Sequence, residues 1–161
     1  NDPKSCMILK TDATRKTQLH AQCLEYIENC IKNAHVALTD ALQSGNTEDK
    51  SSAGDKHETT RALLQIEQEK HTKQLQEMVA LKEKLKRIDP MLHSETIGTG
   101  SVVITSAGNF YVAIAAGKLL LNDISYFAIS PNSPIAIKLI GLKEKGITWF
   151  NGITYVIESV F

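Results

Sequence analysis

Ile129-Ser130-Pro131-Asn132-Ser133-Pro134-Ile135-Ala136-Ile137-Lys138-Leu139-Ile140-Gly141 is the stretch on which the reading of the fold turns. It begins at the end of a β-rich run, passes through Ser, Pro and Asn punctuation, and enters a short apolar segment. Ser133 is placed to cap a helix whose first position is Pro134, where a missing N–H costs nothing, and Gly141 is placed to stop it. A single helix of two turns among strands points to an α+β domain.

The flanking segments supply those strands. Ser101–Thr105 and Phe110–Ala115 are β-rich runs separated by the turn composition Ser106-Ala107-Gly108-Asn109, and Leu119–Leu121 is followed by Asn122-Asp123 and then Ile124–Ile129. Ile147–Phe150, Asn151-Gly152 and Ile153–Ser159 form the clearest hairpin signal, because Asn-Gly accepts the two positive φ angles of a type I′ turn. The expected sheet is small, strongly twisted and antiparallel. About seventy residues are marginal but sufficient for one core.

Upstream of Pro90 the composition changes. Residues 1–90 carry 28 of the 36 charges, and the rest of the chain holds eight of the nine aromatic residues and seven of the nine glycines, which argues for two domains. Leu24, Ile27, Ile31, Ala34, Leu38 and Ala41 recur at three- and four-residue steps, the seam of an amphipathic helix, with Cys23, Cys30, Ala37 and Leu42 completing it. Ser44–Gly54 is a loop composition, and Ser52 with Asp55 matches a capping box that opens a second helix. Leu63, Leu64, Ile66, Leu75, Met78, Val79, Leu81, Leu85 and Ile88 are its apolar positions, and Asp89-Pro90 ends it. Glu67–Gln74 is polar throughout and predicts a wetter seam. The boundaries are therefore residues 1–16 as an N-terminal tail or residues foreign to the native chain, 17–90 as an antiparallel coiled-coil hairpin with a tip loop at 44–58, and 91–161 as the sheet domain. Two helices of about 30 residues make a rod of roughly 45 Å, too thin to enclose a core.

The formal net charge of zero excludes the simplest nucleic-acid footprint, a strongly basic chain. Charge is nevertheless graded. Glu48, Asp49, Asp55 and Glu58 outnumber Lys50 and Lys56 at the tip, whereas Lys70, Lys73, Lys82, Lys84, Lys86 and Arg87 outnumber Glu77 and Glu83 toward the base. A solvated helix surface accounts for such a gradient equally well. No run approaches eighteen apolar residues, and Asn1–Thr17 lacks the apolar core of a signal peptide. Cys6, Cys23 and Cys30 contain no C-x-x-C pair and suit a reducing cytoplasm, with Cys23 and Cys30 read as small core residues.

The segment Ile129–Gly141 closely resembles the motif in the C-terminal, FKBP-like domain of the bacterial Gre transcript cleavage factors. Gly54-Asp55-Lys56-His57-Glu58 is similar to that family's Gly-Asp-x-x-Glu tip, and the order of parts, coiled coil first, agrees over residues 17–161. The resemblance implies a factor that docks on RNA polymerase at the rim of its secondary channel, through Ser130, Asn132, Ser133, Pro134 and Ile135. It also implies that Asp55 and Glu58 act as catalytic acids sharing Mg²⁺ with the polymerase active site, near the RNA 3′ end. Carboxylate oxygens are hard ligands suited to that ion. Lys70 and Lys73 would offer contacts to RNA or the channel. Such a protein is expected to be a cytoplasmic monomer, to bind no cofactor alone, to avoid membranes, and to be no enzyme by itself.

Alternatives stay open on the residues alone. Asp55 also reads as a capping-box acid and Glu58 as its solvated neighbour. His57 reads as an exposed tip residue or a proton carrier, while His20, His35, His71 and His93 lack ligand spacing. Thr59-Thr60-Arg61-Ala62 stands where the Gre family continues with Asn-x-Glu-Tyr, and the tip loop is longer, which fits a regulator that occupies the channel without cleavage. A prolyl isomerase or chaperone is the third class; against it, Tyr126, Phe127, Trp149, Phe150 and Tyr155 read as core residues rather than a pocket. A thiolase-type condensing enzyme is excluded by length.

Overall fold

The computed structural model describes residues 3–48 and 56–161. Contacts divide the chain into two units, Asn1–Tyr26 with Lys84–Phe161, and Ile27–Glu83. The protein is α+β: two long helices, α1 (Pro3–Glu48) and α2 (Lys56–Lys86), precede a six-stranded sheet that carries one short helix. The strands are β1 (Val102–Thr105), β2 (Gly108–Val112), β3 (Gly117–Leu121), β4 (Ile124–Ile129), β5 (Ile147–Phe150) and β6 (Ile153–Val160), with α3 (Pro134–Leu139) between β4 and β5. No described helix is long and apolar enough to cross a membrane.

The sheet runs in the order β3-β4-β2-β1-β6-β5. It is mixed, which corrects the expectation of an antiparallel sheet: Phe110, Tyr111 and Val112 of β2 pair in parallel with Phe127, Ala128 and Ile129 of β4. The cause is the β3–β4 hairpin. It turns at Asn122-Asp123, both at positive φ, and folds back so that β4 and not β3 lies beside β2. The β5–β6 turn has Asn151 at φ 50° and Gly152 at φ 80°, as the Asn-Gly signal requires.

Pleating sends alternate side chains to opposite faces. On one face Val103, Phe110, Val112, Tyr155, Ile157 and Val160 join Ile97 and Leu139 of α3 in a buried cluster. On the other, Tyr111 is fully buried and its hydroxyl meets His20 Nδ1 at 2.8 Å. Gln22 Nε2 donates to Leu120 O at 3.0 Å, and the Arg15 guanidinium lies 4.6 Å from the centre of the Phe161 ring. The beginning of α1 therefore covers the second face. Residues 1–16 do not behave as a tail over the described positions: helix begins at Pro3, and Asp12 and Lys16 are buried. Their charge hid them, since Asp12, Lys16, Leu19 and Cys23 continue the three- and four-residue spacing with two polar members.

In the unit 27–83 the two helices run antiparallel. Glu28 pairs with Lys82 at 2.9 Å, and Gln68 Nε2 donates to Ala41 O at 3.4 Å. Helix α1 persists through the loop-like Ser44–Glu48, and residues 49–55 of the expected tip loop lie outside the described residues. Ser44 Oγ donates to Asp40 O at 2.9 Å, a back-bond that lets the hydroxyl stay within a helix. The Ser52–Asp55 capping box lies outside the described residues. Two of the aromatic residues read as core are not: Trp149 is 63% and Phe127 43% exposed. Trp149 projects from the edge strand β5 on the face opposite Phe150 and Tyr155, where α3 does not reach.

Candidate functional site

The Ser130–Gly141 segment folds as its residues dictate. Ser130 Oγ accepts from Asn132 N at 3.2 Å, and Ser130 O accepts from both Ser133 N at 3.0 Å and Ser133 Oγ at 2.7 Å. Ser133 is extended, at φ −68° and ψ 149°, and its Oγ accepts from Ala136 N at 3.4 Å. This is N-capping with Pro134 in the first turn, where its fixed φ is already helical. The last turn closes through Ile140 N to Ala136 O at 2.8 Å. Gly141 then takes φ 89°, a left-handed conformation that disfavours any side chain, and donates to Ile97 O at 2.9 Å.

The five residues expected to dock lie together on the capped turn and the first turn of α3, with different exposures. Asn132 and Pro134 are exposed, whereas Ser130, Ser133 and Ile135 are half-buried. The serines are engaged in holding the turn, and Ile135 packs against the buried cluster. Ile137 at 64% and Ile140 at 39% exposure are apolar residues on the outer side of α3 that the sequence reading did not single out. Their spacing from the buried pair Ala136 and Leu139 carries the signal, because a helix of two turns has one inward face.

At the other candidate site, Glu58 lies in the first turn of α2 and is exposed, where the positive end of the helix dipole favours a carboxylate. Asp55 and Gly54 lie outside the described residues, as does the side chain of His57, so the Asp55–Glu58 pair is not placed. Among the described residues no group of three His, Cys, Asp or Glu side chains is close enough to hold a metal ion. Glu58 offers carboxylate oxygens, hard donors of the kind that Mg²⁺ prefers. Arg61 is exposed one turn further on.

Lys70 and Lys73 are both exposed on α2. Lys73 borders a groove of about 460 Å³ whose walls include Leu38 and Leu42 of α1 and Gln65, Gln68 and Gln76 of α2. The groove falls where the polar run Glu67–Gln74 crosses the seam: Gln68 and His71 occupy positions where Leu64, Leu75 and Met78 stand elsewhere. His71 Nε2 faces Glu67 Oε1 at 3.6 Å.

Three ionisable groups on α1 are shifted by burial. Desolvation lowers the His20 imidazole and the Lys16 ammonium below their ordinary values and pushes the Cys23 thiol up to about 12. A thiol so shifted is an inert core residue. Cys30 is half-buried and Cys6 exposed. The His20–Tyr111 bond is a neutral pair between α1 and the sheet; its only sequence signal was a histidine on an apolar helix face. Comparison of the chain with protein-family models and with curated proteins finds no match to either.

Proposed function

We propose that the protein is a Gre-like transcription elongation factor. In this reading it binds RNA polymerase at its secondary channel and stimulates cleavage of the RNA 3′ end in backtracked complexes. The observation that carries the reading is the Ser130–Gly141 turn, in which the residues of the Gre-like motif cap, start and stop α3 while presenting Asn132 and Pro134 outward. The antiparallel helices of the unit 27–83 support it as a reaching element, the coiled-coil hairpin of such factors, and the sheet with α3 would be the FKBP-like part. Glu58 and Asp55 would hold an ion shared with the polymerase, which supplies activation of water and stabilisation of the leaving oxygen. The chain's own contribution is to bring two carboxylates to that place.

A transcript cleavage assay on arrested complexes of the cognate polymerase tests this. Wild-type protein should shorten the RNA, and Asp55→Ala with Glu58→Ala should reduce cleavage by about a hundredfold or more while leaving binding intact. Unchanged cleavage by the double variant sinks the assignment of the acids. Ser133→Ala should weaken α3 by about 1 kcal/mol and lower affinity for polymerase, a loss measurable by competition binding.

A second reading, a regulator that occupies the same channel without cleavage, is favoured by one observation. Arg61 sits one turn beyond Glu58 and is exposed, a cation where a third acid would serve metal chemistry. Competition with a cleavage factor without any shortening of RNA selects this reading.

A further inference from the structure

Near the start of α1, inside the unit formed by Asn1–Tyr26 and Lys84–Phe161, Asp12 and Lys16 are buried one turn apart at 9% and 4% exposure. With Ala13, Pro90, Leu92 and Phe161 they line a cavity of about 220 Å³. Lys16 Nζ donates one of its three N–H groups to Leu92 O at 2.7 Å. Asp12 engages Arg15 through Oδ1, and no bond to its Oδ2 occurs among the described residues. The cavity wall therefore holds spare ammonium donors and a spare carboxylate oxygen, separated by roughly 6 Å along the helix axis. Its remaining surface comes from Ala13, Pro90, Met91 and Phe161, with His93 as a further titratable side chain at the wall.

Asp12 is paired with Arg15, and Lys16 feels the charge of Asp89, so each buried group is compensated from outside the cavity while presenting a polar atom beside it. They match a ligand that carries both charges itself. We propose that this cavity binds a free α-amino acid with an apolar side chain. The α-carboxylate meets Lys16 Nζ, the α-ammonium meets Asp12 Oδ2, and the side chain lies against Pro90 and Phe161. A simple carboxylate meets Lys16 but makes no bond to Asp12, and a simple amine meets Asp12 but makes none to Lys16, so a zwitterion is the ligand that uses both. The volume lies below the roughly 300 Å³ at which drug-sized sites begin, which suits one amino acid and excludes a peptide. Burial holds the Lys16 ammonium below its ordinary value although Asp89 acts to raise it, and an incoming carboxylate adds a second compensating charge. The site is independent of any contact with polymerase.

Met91, at the cavity mouth and 66% exposed, is a local reporter, and Met7 and Met78 are internal controls. In a titration of full-length protein labelled at the methionine methyl groups, L-leucine should shift the Met91 resonance saturably in the millimolar range and leave Met7 and Met78 unmoved. Isocaproate, which lacks the ammonium, and isoamylamine, which lacks the carboxylate, should each bind about tenfold more weakly or worse. Lys16→Met should abolish the leucine response. If that variant does not fold, the three-ligand series on unchanged protein still decides. Absence of a Met91 shift with leucine, or equal binding of either analogue, overturns the proposal.

Discussion

The unit containing the sheet and the unit 27–83 meet the same requirement, burial of apolar surface, with unequal means. The first fully buries Leu19, Leu85, Tyr111, Tyr126 and Phe161 on both faces of one sheet. In the second, Ile27 and Ala41 are the hydrophobic residues that reach full burial among the described positions, and polar Gln68 and His71 sit in the seam. A sheet covered twice has a core that side-chain changes damage deeply, whereas a pair of helices has a line of contacts in which each residue touches few others. The first unit is therefore built to hold a shape, and the second is free to spend its seam on polar groups.

The largest test of that contrast is Tyr111→Ala. Removing a fully buried ring and leaving His20 without its partner should cost about 4 kcal/mol, read as a drop in the urea midpoint of the sheet unit at unchanged slope. A loss under about 1 kcal/mol would show that the second face of the sheet is not a core. Substitution in the seam should act in the opposite sense. Gln68→Leu with His71→Leu should stabilise the unit 27–83 by about 1–2 kcal/mol, seen as slower amide exchange from Leu64 to Leu75. Unchanged exchange would mean that these polar groups do not limit the pairing.

The smallest expected effect is a pH dependence confined to the sheet unit. Burial lowers the His20 pKa in the folded protein, so below the unfolded value of about 6.5 the unfolded chain binds the extra proton first. Stability is therefore full above that value and falls as pH drops through it toward the folded pKa. Urea unfolding on the two sides of the interval measures this, and His20→Gln should flatten the slope. A slope that survives the substitution would assign it to other groups.

These contrasts explain what was legible in the sequence. Ser133-Pro134, Gly141 and Asn151-Gly152 act through local backbone chemistry, and each appears in the structure in its expected conformation. The helix over Leu24 to Ala41 was readable by period for the same reason, since it depends on a single repeating angle, although Leu42, read as part of its seam, is exposed. Non-local choices were not readable. The strand runs of β2 and β4 contain nothing that says they pair in parallel, because that follows from where the β3–β4 hairpin folds back. Helix α1 extends back to Pro3, with Asp12 and Lys16 buried beside Pro90, Leu92 and Phe161, and their charges concealed the continuation. Ser44–Glu48 has turn composition but remains helical, an ordinary override of local preference by context. Of the candidate site, the capping and stopping of the Ser130–Gly141 turn were legible in its residues. The exposure of Ile137 and Ile140 required the placement of α3 on the sheet.

The strand order gives β6 an unusual responsibility. It is the last strand in sequence yet lies between β1 and β5, bonded to both. Loss of Ile153–Val160 would not trim an edge from the sheet; it would sever the sheet into two parts, strand β5 alone and open β1 along its whole length. A ribosome must therefore deliver the chain through Val160 before the sheet can close. Until then the edge of β1 that β6 pairs with stays open, which makes the interval before β6 docks the stage at which this protein most needs protection from aggregation.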